Sequence, residues 1–297
     1  MIEKLNYLIA VAREQNFRKA AEACGVAQPT LSAGIKQLEN ELGAMLVCRS
    51  SRFLGLTPEG ERVLEWAKRM VGDARAMRQE LRSNRSGLTG HLRIAVIPTA
   101  LAMVPVLTGP CLDRHPGLQF TILSCTSNRV LAMLDNLEVD AGITYLGNEA
   151  LGRVRAVPLY TERYQLITSE GGAFADRAAV AWAELAGVTL CLLTPDMQNR
   201  RIMDRLMRGA GIEPRAVLES DSQVTLLAHV LTGRCATVLP ERLASVLADL
   251  PRLRRIPLVE PDASYGIGLV VPDHDPMPVL GAALLAEARR IGHQSER

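Results

Sequence analysis

The sequence predicts an α plus α/β protein: a small helical head, a long linker helix and a C-terminal two-lobed α/β domain. Three observations carry this. A short helix, a glycine turn and a second helix lie within residues 17–42. One amphipathic stretch then runs over 58–88. Beyond Gly90, strand-like and helix-like runs alternate to the end, the pattern of layered α/β structure with largely parallel strands.

Composition narrows the classes. The 297 residues allow two or three domains at roughly 100–200 residues each. Aromatic residues are 4%, too few for stacking platforms or a carbohydrate cleft. The net charge of +2 says little about partners, because charge clusters locally. Cys24, Cys48, Cys111, Cys125, Cys191 and Cys235 form no CxxC and no Cys/His ligand spacing, so neither zinc nor a disulfide framework is expected. Free thiols in a reducing cytoplasm are the plain reading, and no targeting segment or cofactor motif is visible. The uncharged stretch 94–112 is interrupted by Pro98, Pro105 and Pro110; it reads as a buried strand and helix, not a membrane span.

Residues 1–57 form the head. Phe17 to Cys24 is a short helix, Gly25 permits a sharp turn, and Gln28-Pro29-Thr30-Leu31-Ser32 opens the next helix, which together make a helix-turn-helix. On that helix Leu31, Ile35, Leu38 and Leu42 share one face; Pro29, Ala33, Lys36 and Asn40 fall opposite, with Ser32 and Gln37 at the margins. The apolar face packs on the head, leaving the other free to enter a major groove. The candidate DNA contacts are Gln28, Pro29, Thr30, Ser32, Ala33 and Lys36. Gln28, Ser32 and Lys36 suit bases or phosphates, and Pro29 and Ala33 suit a thymine methyl. Residues 47–53 read as a β-ribbon wing that carries Arg49 and Arg52 to backbone phosphates. Acidic residues nearly balance basic ones over 1–60, so phosphate binding rests on a few placed residues and helix N-termini, doubled by dimerisation.

Residues 58–90 are the linker. Thr57 is a good N-cap, Pro58 suits the first helical position, and Glu59 and Glu61 sit in the positive first turn. Val63, Met70 and Met77 repeat every seven residues, as do Ala67, Ala74, Leu81 and Leu88. Together they predict a heptad seam and a homodimer through the 58–88 helix.

The stretch FRKAAEACGVAQPTLSAGIKQLENELGAMLVCRSSRFLGLTPEG, with the long helix and the α/β region after it, resembles the LysR-type transcriptional regulators. The resemblance covers the whole chain. It implies a winged helix-turn-helix over 1–57, a linker and dimerisation helix over 58–90, and an effector-binding domain over 91–297. That domain is similar to type 2 periplasmic binding proteins, with lobe I about 91–162 and 266–297 and lobe II about 163–265. It also implies double-stranded operator DNA, a small-molecule effector and RNA polymerase as partners, a homotetramer built as a dimer of dimers, and a cytoplasmic, non-enzymatic protein. PTLSAGIKQLENELG and RFLGLTPEGERVLEWA look like the subgroup associated with formate dehydrogenase and one-carbon metabolism. Departures stand out as well. Ala27 replaces the usual Ser cap, Val47 and Cys48 replace the usual residues before the wing Arg, and Ala33 is short, so readout shifts toward DNA shape.

In α/β sheets, ligands bind beyond the carboxyl ends of strands, near helix N-termini. Four such edges end at Thr99-Ala100, Ser127-Asn128, Gln198-Asn199 and Ser220. By resemblance, Thr99, Ser127 and Asn128 are first-lobe effector contacts, and Gln198, Asn199 and Ser220 belong to the second lobe and cleft. Ala100 adjoins Thr99, and Thr144 and Tyr145 close one wall. Hydroxyls and amides at helix starts suit a small carboxylate or another small anion; the competing role for Thr99, Ser127 and Ser220 is helix capping.

The sequence contains no GxSxG, HExxH, GxxxxGK[ST] or GxGxxG, so an enzyme is not expected. A transport-type binding protein fits the α/β half alone. A thiol-based redox-sensing regulator is the alternative, with Cys191 and Cys235 in one lobe, Cys125 near the Ser127 edge and Cys48 in the wing. Buried, inert thiols are the competing reading.

Overall fold

The structure is a computed structural model that describes residues 1–49, 53–86, 88–147, 150–246 and 252–295. The head is α1 (Ile2–Glu14), α2 (Phe17–Cys24), α3 (Gln28–Leu42), β1 (Val47–Arg49) and β2 (Phe53–Leu56). Local chemistry sets these boundaries. The Asn16 side chain accepts from Arg18 N and Lys19 N at the start of α2, and Gly25 closes it at φ 67. Gly34 permits α3 to lie on α1: a Cβ there would sit 2.6 Å from the Tyr7 ring. Buried Glu39 accepts from Leu46 N (3.0 Å) and Val47 N (3.2 Å), which holds the wing's first strand to α3.

α4 (Pro58–Ser86) follows. The Thr57 hydroxyl accepts from Gly60 N at 2.9 Å and donates to Met45 O at 2.6 Å, capping the helix from both sides. The predicted seam needs correction. Ala67 and Val71 are fully buried in the head's own core, and Val63 and Leu64 pack against it, because α1 lies across that face of α4. The exposed apolar stripe is Trp66, Met70, Met77 and Leu81. Met70, Met77 and Leu81 belong to the expected series, whereas Trp66 does not.

Beyond α4 the first lobe holds β3 (Gly90–Val96), a 3-10 turn over Pro98–Met103, α5 (Val104–Arg114), β4 (Leu118–Ser124), α6 (Ser127–Asp135), β5 (Ala141–Tyr145) and β6 (Val154–Glu162). The chain crosses directly into the second lobe, which holds β7 (Tyr164–Ser169), β8 (Val180–Ala181), β9 (Leu190–Leu193), α7 (Gln198–Gly209), β10 (Ala216–Ser220), α8 (Gln223–Val230), β11 (Thr237–Pro240), α9 (Glu241–Val246) and β12 (Leu253–Val259). It returns as β13 (Tyr265–Pro272) and α10 (Val279–Ser295). The first sheet runs β4-β3-β5-β13-β6, and the second runs β11-β7-β12-β8. β10 pairs with β9, which is bridged to the second sheet through Leu190 and Ala236.

The expectation of largely parallel strands holds only in part. β3 is parallel to β4 and β5, and β9 to β10. β13 is antiparallel to both β5 and β6, and β7 to both β11 and β12. The cause is connectivity: β6 and β12 carry the chain between lobes, so strands at each crossing run back along their neighbours. Pro158 lies in β6, an edge strand, where a proline disrupts no central ladder. The 94–112 stretch divides into the end of β3, the 3-10 turn and α5, and no helix among the described residues is long and apolar enough to cross a membrane.

Linker and lobe I are in contact. Lys68 pairs with Asp135, Arg75 Nη1 donates to Leu137 O at 2.8 Å, and His274 Nδ1 lies 3.6 Å from Asp73 Oδ1. A Cβ on Gly72 would sit 2.7 Å from the His274 ring.

Candidate functional site

The α3 face is built as its periodicity requires. Leu31, Ile35 and Leu38 are fully buried, while Gln28, Pro29, Thr30, Ala33 and Lys36 are exposed and Ser32 is half-buried. Leu42 departs from its predicted face and is exposed, because the helix ends there at Gly43 and the core has run out. The helix starts at Ala27 with no side-chain cap, so its first N–H groups are left to solvent or a bound anion. β1 and β2 form the wing ribbon. Arg49 is placed on β1 by its backbone alone, and Arg52 lies outside the described residues.

The second candidate site is a small cavity between the lobes, of about 10 Å3, lined by Ile97, Pro98, Thr99, Thr126, Ser127, Tyr145, Leu193, Met197, Gln198 and Asn199. Five of the nine sequence candidates therefore converge: Thr99, Ser127 and Tyr145 from lobe I, Gln198 and Asn199 from lobe II. Ala100 and Thr144 are buried but do not line the cavity, and Asn128 is exposed on α6. Ser220 is outside it too; its hydroxyl accepts from Ser222 N at 3.1 Å, shaping the turn before α8. The capping roles fall on other residues: Thr126 caps α6 and Ser222 caps α8. Ser127 is thereby released from capping, and Ser127 Oγ and Asn199 Oδ1 are buried without a protein partner.

Beneath the cavity lies a residue that sequence reading overlooked. Glu162 ends β6 and is fully buried. Its Oε1 accepts a short hydrogen bond from the Tyr145 hydroxyl, and Asn199 Nδ2 approaches Oε1 at 3.5 Å and the Tyr145 oxygen at 3.2 Å. Burial pushes the Glu162 carboxyl up to about 7, only partly offset by hydrogen bonds from Tyr145, Tyr164, Asn199 and Thr99. Burial and the Glu162 charge together push the Tyr145 hydroxyl well above its ordinary value. The available signal was alternation: Tyr160, Glu162 and Tyr164 share one side of an extended run, an acid between two tyrosines on a face that proves buried.

The arginines near the helix starts are engaged elsewhere. Arg129 pairs with Glu138, and Arg200 bonds Asp204, Glu219 and Leu193 O. Arg201 bonds Gln198 and Asp196 O. A larger groove, about 810 Å3, lies between α4 and lobe I. Lys68 pairs with Asp135 across this groove and Arg155 with Asp273 along its lobe I wall, and it contains none of the sequence candidates.

Among the cysteines, Cys191 is buried, donates toward Leu226 O and Ala236 O, and neighbours Cys235. Burial, with Cys235 beside it, pushes its thiol up to about 12, so thiolate is scarce at neutral pH. Burial raises Cys111 and Cys125 as well. Cys48 is exposed, and no cysteine lines the interlobe cavity.

Comparison with known proteins identifies the family of both parts of the chain. Residues 2–61 match the bacterial regulatory helix-turn-helix protein, lysR family, and residues 85–291 match the LysR substrate binding domain. The DNA-binding transcriptional dual regulator OxyR of Escherichia coli K12 is 30% identical over 93% of this chain and 90% of its own length. A probable hydrogen peroxide-inducible genes activator of Mycobacterium avium is 32% identical over 91% of this chain and 87% of its own length. A full-length OxyR variant from Pseudomonas aeruginosa superposes with a TM-score of 0.75 at 25% identity, covering 97% of each chain. The regulator CbnR, in complex with its target DNA, shares the fold at a TM-score of 0.62 and 22% identity over 98% of this chain and 99% of its own. With both family domains present in order, the chain belongs to the LysR family of non-enzymatic, DNA-binding transcriptional regulators that carry an effector-binding domain.

Proposed function

We propose that this regulator is gated by a small molecule seated between its two lobes, at Thr99, Ser127, Gln198 and Asn199. The observation that carries the reading is convergence: polar groups from both lobes meet at one cavity, and two of them, Ser127 Oγ and Asn199 Oδ1, are buried and unsatisfied. Leaving such atoms unpaired costs about 1–3 kcal/mol each, a cost that a hydrogen-bonding ligand removes. A ligand favouring one lobe angle shifts the population toward it through differential affinity. In this reading two chains pair through the Trp66, Met70, Met77 and Leu81 stripe, and paired dimers form a tetramer. The α3 faces, with Arg49 and Arg52 on the wings, read an operator in the major groove. The lobe angle sets the spacing of the heads, and with it DNA bending and contact with RNA polymerase.

A promoter reporter in the native host tests the gating. Ser127→Ala and Asn199→Ala are expected to abolish the inducing response while operator affinity stays within about threefold. Variants that respond like the wild type would remove the cavity from the mechanism.

A second reading, thiol-based sensing, is favoured by the peroxide activators among the relatives and by the Cys191–Cys235 neighbourhood. The raised Cys191 thiol and the cysteine-free cavity weigh against it. Replacing all six cysteines with serine is expected to leave the response intact; loss of response in that variant, with folding and operator binding retained, would favour the thiol reading.

A further inference from the structure

The ligand's chemistry can be taken further, resting on the proposed cleft. We infer that the cleft selects a neutral ligand of a few non-hydrogen atoms that donates a hydrogen bond, and that Glu162 is the residue that turns away an anion of the same size. The donor requirement follows from the bonding pattern. The Tyr145 hydroxyl donates its hydrogen bond to Glu162, so the tyrosine oxygen accepts from Asn199 Nδ2. Asn199 is thereby oriented with Nδ2 toward lobe I, and its Oδ1 is left as a buried acceptor without a partner. A carboxylate has no proton to offer Oδ1, whereas an amide, an alcohol or a hydroperoxide does.

The charge requirement points the same way. Glu162 is fully buried one side chain below the cavity, and both Tyr145 and Asn199 connect the two. The opposing influence is the start of α6 and of α7, each worth roughly half a positive charge. The arginines that would add to it are held by Glu138, Asp204, Glu219, Gln198 and backbone oxygens. The two helix starts sum to about one positive charge, which the ionised Glu162 cancels, leaving no net attraction for an anion. The cavity of about 10 Å3 admits roughly one water-sized group as it stands, so a somewhat larger ligand enters as the lobes part. The closed arrangement therefore favours very small molecules.

Formate and formamide have the same number of non-hydrogen atoms and differ in charge and in N–H donors, which makes them the probes. Binding of each to the full-length chain is measured by calorimetry at pH 8. Formamide is expected to bind at least tenfold more tightly than formate. Glu162→Gln, which keeps shape and removes charge, is expected to narrow that ratio at least threefold. Tyr145→Phe, which removes the hydroxyl that holds the Glu162 carboxylate and orients Asn199, is expected to narrow the ratio as well, and it serves if the Gln variant fails to fold. Formate binding as tightly as formamide to the wild type would overturn the inference, as would a ratio unchanged in Glu162→Gln. Binding of neither probe also overturns it, and leaves the cleft reading to the Ser127 and Asn199 reporter test.

Discussion

Glu162 joins stability to the site. Its carboxyl is raised from an ordinary 4.5 to about 7 by burial. The folded state therefore holds the proton more tightly than the unfolded chain. This contribution is fully present below about 4.5 and is lost as pH rises through about 7. At 1.36 kcal/mol per pH unit the loss amounts to about 3 kcal/mol at most. Urea unfolding at pH 5 and pH 8 is expected to show a larger loss for the wild type than for Glu162→Gln; equal losses would contradict the assignment. Gly34 makes a second residue-scale prediction. A Cβ there meets the Tyr7 ring at 2.6 Å, so Gly34→Ala is expected to cost about 1–3 kcal/mol of stability by denaturant titration, and a change under about 0.5 kcal/mol would show that the two helices simply part. Alternation placed Glu162 on one side with Tyr160 and Tyr164, but the role of neither residue followed from the sequence. A glycine inside a helix and an acid inside a strand reveal their role only when a third element packs on them.

At the scale of elements, periodicity was the reliable guide. It placed α2, the Gly25 turn and α3 correctly, and the outward face of α3 followed from the helical repeat alone. It misassigned part of the α4 seam because two apolar stripes overlap on one helix, and spacing does not say which is covered by α1. Trp66, Met70, Met77 and Leu81 are left on the exposed stripe, so Met77→Lys with Leu81→Lys is expected to break tetramers into dimers in analytical ultracentrifugation and to weaken operator binding by more than tenfold. Retention of the tetramer would move the interface off α4. Lys36 tests the other face: Lys36→Ala, changed in both heads of a dimer, is expected to lower the salt slope of operator binding by about 2, roughly 0.9 per phosphate contact. An unchanged slope would leave Lys36 as a solvated charge.

At the scale of the molecule, the cleft was legible as strand ends carrying hydroxyls and amides, and five of those residues do meet. Direction and capping were not. Strand polarity depends on where the chain changes lobe, and Thr126 and Ser222 took the caps that Ser127 and Ser220 were eligible for. The whole molecule matters for gating because α4 is fastened to lobe I by Lys68 with Asp135 and by Arg75 with Leu137 O. Motion between the lobes thus has a mechanical route to the head. The central claim is that this route carries lobe geometry to the DNA. The most direct measurement is the operator footprint, with bend angle, of the wild type against Asn199→Ala, which cuts the Asn199–Tyr145–Glu162 link between lobes without touching the heads. The account predicts a protected length changed by about one helical turn, roughly 10 base pairs, with an altered bend and little loss of affinity. An identical footprint and bend, from a variant shown to be folded and tetrameric, would contradict it.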